Sequence, residues 1–96
     1  MSEWKFPDPP NVAAITTRKV VSGEDWIAYV SHDEDDGAWQ FHGCSGGAAS
    51  EADAALVSLR KIVAMDPSVQ ELADLPLGWY ARRDTKESSW QREKSM

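Results

Sequence analysis

Ninety-six residues make a single domain with enough chain for one modest core. Hydrophobic residues at 42% against 27% charged exclude a disordered chain. A net charge of −6 excludes a general affinity for phosphate backbones or anionic lipid, because both rest on basic patches.

The charge is uneven, −8 over residues 1–76 and +2 over 77–96. A lone Cys44 cannot cross-link its own chain, so no internal disulfide supports the fold. The start, "MSEWKFPDPP", lacks the basic-then-apolar pattern of a secretory signal. No apolar run approaches the ~18 residues that a membrane span needs. A soluble, cytoplasmic protein is expected.

Residues 1–11 hold Pro7, Pro9 and Pro10, which remove backbone donors and predict an extended arm. Trp4 and Phe6 are placed to pin that arm to the body. The folded domain is expected over 12–84. Asn11–Ser22 is rich in β-branched residues and predicts a strand. "SGED" at 22–25 predicts a turn. Trp26–His32 and Ala38–Gly43 predict a second and third strand, joined by a hairpin loop over Asp33–Gly37.

Ser50 and Asp53 match a capping box, and a helix is expected through Met65. Its apolar stripe would be Ala52, Ala55, Leu56, Leu59, Ile62 and Val63. Asp66–Pro67 stops that helix and opens a short second one over "SVQELADL", with Ser68 and Glu71 as a further capping box. Pro76 and Gly78 then lead into a last strand at Trp79–Arg83. Residues 85–96 read as a polar basic tail carrying Trp90. The order β-β-β-α-α-β predicts an α+β fold: a small, mostly antiparallel sheet with helices packed on one face.

The chemistry-bearing stretch is Val30–Cys44, "VSHDEDDGAWQFHGC". With His32 opposite Gly37, Val30 would face Trp39, Ala28 would face Phe41, and Trp26 would face Gly43, all on the apolar side. Tyr29, Ile27, Gln40 and His42 would lie on the other. His32 and His42 then point apart and cannot share one metal ion. An EF-hand loop fails too, since setting Gly37 sixth puts His32 first and Gly43 twelfth. His32, His42 and Cys44 lack zinc-ligand spacing. No metal or cofactor is therefore expected. Nothing matches a phosphate loop, a nucleophile elbow or a dinucleotide fingerprint, and Cys44 two residues from His42 is no catalytic constellation.

Adjacent acids suit a solvated turn and discourage edge-to-edge sheet pairing. They also suit recognition, because an acidic loop beside aromatic residues combines charge steering with anchors. The candidate partner-binding residues are Tyr29, His32, Asp33, Glu34, Asp35, Asp36 and Trp39. The expected partner is another protein with a basic surface. Trp39 could serve as core or as anchor. The alternative is a small enzyme or a small-ligand or metal-binding domain, using His32, the adjacent carboxylates and Arg82 or Arg83. A third reading is nucleic-acid binding by Arg82, Arg83, Lys86, Arg92 and Lys94 with Trp90, which the acidic body opposes.

The stretches "YVSHDEDDGAWQFHG" and "IVAMDPSVQELADLPLGWYARR", with the late Trp90, resemble a family of small uncharacterised bacterial proteins. Its members carry an H-D-x-D-D-G-x-W-Q-F run followed by D-P-S-x-x-E-L-A-D-L-P-x-G-W. The resemblance covers roughly residues 12–92. It is carried by His32, Asp33, Asp35, Asp36, Gly37, Trp39, Gln40 and Phe41, and by Asp66, Pro67, Leu75, Pro76, Gly78 and Trp79. More distantly the chain is similar to toxin-immunity-type domains. That likeness implies an immunity-like role, one concrete form of the non-catalytic protein-binding module that the acidic hairpin predicts.

Overall fold

The computed structural model describes residues 4–6, 8–43 and 54–94. Among these residues six strands form one sheet: β1 (Ala13–Thr17), β2 (Ile27–His32), β3 (Trp39–Gly43), β4 (Ala54–Ser58), β5 (Trp79–Arg82) and β6 (Gln91–Lys94). Their spatial order is β4-β1-β3-β2-β5-β6. Only β1 and β3 run parallel; the other neighbours are antiparallel. Two short helices, α1 (Arg18–Ser22) and α2 (Leu59–Met65), and a 3₁₀ helix at Pro67–Leu72 complete an α+β domain. No helix among the described residues is long and apolar enough to cross a membrane.

The element order departs from expectation in three places. The first strand stops at Thr17, whose side chain accepts a hydrogen bond from the Val20 N–H and caps a helical turn that Gly23 ends at φ 86°. The long predicted helix is half strand. Ala54–Ser58 pairs along all of β1, and α2 begins only at Leu59, where Ser58 Oγ accepts from the Lys61 N–H. The stripe therefore splits: Leu59, Ile62 and Val63 are buried, but Leu56 is 71% exposed. The expected cap at Ser50 and Asp53 lies outside the described residues. Finally, the basic tail contributes β6, which pairs with β5 over four residues.

The hairpin of β2 and β3 pairs His32 with Trp39 and Val30 with Phe41. That is two residues from the expected register. A shift of two leaves sidedness unchanged, so Val30, His32, Trp39 and Phe41 share the core face. The ladder is irregular between Ile27 and Tyr29. The extra residue, Ala28, swings Ile27 onto the core face at 2% exposure, where unbroken alternation would have put it with Tyr29.

On that face Ala14, Val30, Trp39, Phe41 and Ala81 join Leu59, Ile62, Val69, Leu72 and Leu75 in one hydrophobic cluster. Each large side chain contributes roughly 1.5–3 kcal/mol by leaving water. The N-terminal arm is part of the cluster, with Phe6 buried and Trp4 packed against it. The opposite face carries Ile15, Tyr29, Ser31, Gln40, His42, Leu56, Tyr80, Arg82 and Glu93, and none of these is buried.

Candidate functional site

The acidic hairpin is built from within. Its mouth closes with the Asp33 N–H donating to the Ala38 carbonyl at 2.8 Å and the Gly37 N–H to the Asp33 carbonyl at 2.9 Å. Gly37 sits at φ 72°, a conformation side chains disfavour. Asp36 Oδ1 accepts from the Ala38 N–H at 2.9 Å, tightening the turn. Asp33 folds back over the open sheet face, where Oδ2 accepts from Gln40 Nε2 at 2.6 Å and Oδ1 from Ser31 Oγ at 3.3 Å. Asp33 and Asp36 thus have local structural work, which spacing alone does not reveal. Glu34, Asp35 and Asp36 are exposed.

His32 fastens the base of the hairpin. Its Nδ1 lies 2.7 Å from the Leu75 carbonyl, which can only accept, so Nδ1 carries the proton. Its own carbonyl accepts from the Gly78 N–H at 2.7 Å. Gly78 has φ 81°, and a Cβ there would meet the Glu34 carboxylate at 3.0 Å. The imidazole stacks on Trp39, with centroids 3.9 Å apart and planes within 11°.

The seven residues singled out from sequence do not form one constellation. Trp39 is core: it is 1% exposed, its Nε1 donates to Asp8 Oδ2 at 2.7 Å, and Phe6 meets it edge-on. It is not available as a surface anchor. Tyr29 stands on the opposite face of the sheet. Glu34, Asp35 and Asp36 project from the tip between the two faces.

What sequence reading missed is the company Tyr29 keeps. Strand order places Tyr80 beside it, and the two rings stack at 5.3 Å with 24° between planes. Tyr80 donates to Glu93 Oε2 at 2.7 Å, and Arg82 pairs with the same carboxylate at 3.4 Å. The hydrogen bond to Glu93 raises the Tyr80 phenol above its ordinary pKa, and the same bond holds Glu93 down. Burial, then the Asp33 charge, raises Tyr29 as well. Alternation in "WYAR" was the available signal, but it could not say which strand β5 joins.

His42 completes the group. A carboxylate only accepts, so the Gln40 amide must turn its NH₂ to Asp33 and its oxygen to His42. His42 Nε2, 3.0 Å from that oxygen, is then the donor, and the neutral ring keeps its acceptor at Nδ1. Burial holds His42 below its ordinary value of 6.5, against a smaller opposing pull from Asp33. The folded state thus favours the neutral ring. Its contribution to stability is complete above pH 6.5 and is lost as pH falls through the depressed folded value. In an NMR titration the His42 midpoint should fall below 6.5, and His42→Gln should flatten the acid side of the stability curve. A midpoint at or above 6.5 would contradict this environment.

The competing site readings lose residues. Arg83 is 5% exposed and spends its guanidinium on Ile27, Ser68 and Asp66, under the Trp90 ring at 4.1 Å. It is no ligand-facing cation. Arg92 binds Asp74 and the Glu71 carbonyl, so the basic tail turns much of its charge onto the body. Among the described residues no three His, Cys, Asp or Glu side chains gather as a metal site, and His32 and His42 lie on opposite faces. Cys44 is outside the described residues. A depression of about 270 Å³ runs beside the hairpin, lined by Ser31, His32, Asp33, Glu34, Asp35, Asp36, Gly78 and Trp79.

Comparison with known protein families, curated proteins and solved structures gave no match to the chain.

Proposed function

We propose that this chain is a non-catalytic protein-binding module whose partner presents a basic surface. The observation that carries this is the one-sided sheet. One face is closed over the core, while the other displays the Tyr29–Tyr80 stack beside Asp33, bordered by the exposed carboxylates of Glu34, Asp35 and Asp36. Half-exposed aromatic rings supply contact area at low entropic cost, and exposed acids at the rim steer a cationic partner. Asp33 orders the open face from within, and Glu34 and Asp35 do the steering.

The resemblance to small bacterial proteins, and more distantly to toxin-immunity-type domains, supports the same reading. Its concrete form is occlusion of a toxin's basic site by an acidic module in the cytoplasm. A second reading rests on the depression beside the hairpin: a small cationic ligand would meet the carboxylates, Trp79 and Ser31 there.

Capture from native lysate at low salt tests the first reading. Glu34→Gln/Asp35→Asn should melt within a few degrees of the wild type, as expected for solvated acids, and should lose a protein that the wild type retains. Retention should weaken as salt rises. A partner held equally by both baits, or at all salt concentrations, would move the binding surface away from the hairpin.

A further inference from the structure

Among the described residues the two edges of the sheet are chemically unlike. β6, "QREK", is exposed at all four residues and carries Arg92, Glu93 and Lys94, charges of the kind that keep an edge from pairing with another chain. β4, "AALVS", has no charge, no proline and an unbroken five-residue register with β1. Leu56, at its centre, is 71% exposed.

The hydrogen-bonding phase of β4 follows from one contact. The Leu59 N–H donates to the Val12 carbonyl at 2.8 Å, continuing the β1–β4 register by one pair. In an antiparallel ladder, residues alternate between aiming both backbone groups at the neighbour and aiming both away. Leu59, Val57 and Ala55 therefore aim at β1. Leu56 and Ala54 aim their N–H and C=O groups off the sheet edge, and Ser58 aims its N–H, while its C=O, as the cap residue, opens the hydrogen-bond ladder of α2.

We infer that β4 is a self-pairing edge, and that its occupant is β4 of a second copy, antiparallel about a two-fold axis through Leu56. Leu56 is both the middle residue of the strand and in the outward phase. A two-fold there makes Leu56 exchange both backbone bonds with its counterpart, and sets Ala54 against the second copy's residue 58. The pairing is isologous and closed, giving one sheet of twelve strands and no filament. Leu56 packs beside its counterpart on the open face, with Ile15 of each copy next to it, so an isolated exposed leucine becomes the centre of an apolar stripe. The acidic hairpin lies across β1 and β3 from this edge and is left uncovered. The inference does not depend on the proposed function.

Sedimentation velocity on the full chain, over a wide concentration range, tests it. The wild type should pass from 10.7 kDa to twice that mass, more readily as salt screens the −6 charge of each copy. Leu56→Lys sets like charges opposite one another at the axis and should weaken association about tenfold or more. Leu56→Pro removes the outward N–H at the axis from each copy while sparing the bonds to β1 and should also favour the monomer. Far-UV circular dichroism matching the wild type shows that each variant is folded, and Gln91→Lys on the opposite edge should leave the dimer intact. A wild type that stays monomeric at every concentration, or a dimer that survives either β4 substitution in a folded chain, overturns the inference.

Discussion

Arg83→Leu should cost about 3–5 kcal/mol, the usual loss when one member of a buried ion pair is removed. The guanidinium is the hub of the molecule's second half. Nε donates to the Ile27 carbonyl at 2.9 Å, Nη1 to Ser68 Oγ at 3.0 Å and Nη2 to Asp66 Oδ2 at 2.6 Å. Asp66 in turn accepts from the Ser68 backbone and hydroxyl and caps the 3₁₀ helix. One side chain thus ties the bulge in β2 to the segment after α2, and Trp90 closes over it. Without Arg83, a carboxylate with only 14% of its side chain exposed loses its counter-ion. In a domain of this size each kcal/mol shifts Tm by about 4–8 °C, so the melt should fall by more than about 10 °C. Arg83→Lys should rescue little, because an ammonium cannot reach three acceptors in three directions. Urea denaturation measures both. A loss under about 1 kcal/mol for Arg83→Leu would mean that Asp66 finds another partner.

Trp39→Ala should be comparably damaging, at about 3–5 kcal/mol for a fully buried large ring. The indole is packed by His32 on one face, by Phe6 edge-on at 5.1 Å and by Phe41 at 6.3 Å. It also holds Asp8, so its loss should free the N-terminal arm. Limited proteolysis should then cut near residues 8–12 before the rest of the domain. Trp39→Phe keeps most of the packing and forfeits the bond to Asp8, for about 1 kcal/mol. An unchanged melt for Trp39→Ala would mean that the ring belongs to the surface after all.

These two residues mark how far the sequence can be read. The alternation in "IAYVSH" and "WQFHG" was legible, and with it the hairpin and the opposite placement of His32 and His42. "AALVSLRKIVAM" was not, because Ala55, Leu56, Leu59, Ile62 and Val63 satisfy a helical period as well as they satisfy a strand followed by a turn of helix. The choice was made non-locally, by the open side of β1. β6 was hidden for another reason: "QREK" has no apolar alternation, and its pairing rests on Tyr80–Glu93 and Arg92–Asp74, contacts made across the fold. Arg83 sat beside Arg82 as one of two similar cations. Alternation along β5 turns Arg82 to the open face and Arg83 to the core side, but the partner that meets it there, Asp66, comes from the segment after α2 and is not legible locally.

The candidate site divides in the same way. The hairpin acids were visible as a cluster, but their differing duties were not. Asp33 reaches Gln40 seven residues away, and that bond exists only in the observed register. Tyr80 joins Tyr29 only because β5 lies beside β2.

In the proposed function the open sheet face and the hairpin tip together form the binding surface. Its most direct test is a ¹⁵N NMR titration of the labelled chain with the captured partner. Shift changes should concentrate at Tyr29, Glu34, Asp35, Gln40 and Tyr80, with the core signals of Trp39 and Phe41 little altered. Changes confined to Lys61, Met65 and Glu71, on the exposed side of the helical layer, would put the interface on the other side of the molecule and rule out the open sheet face.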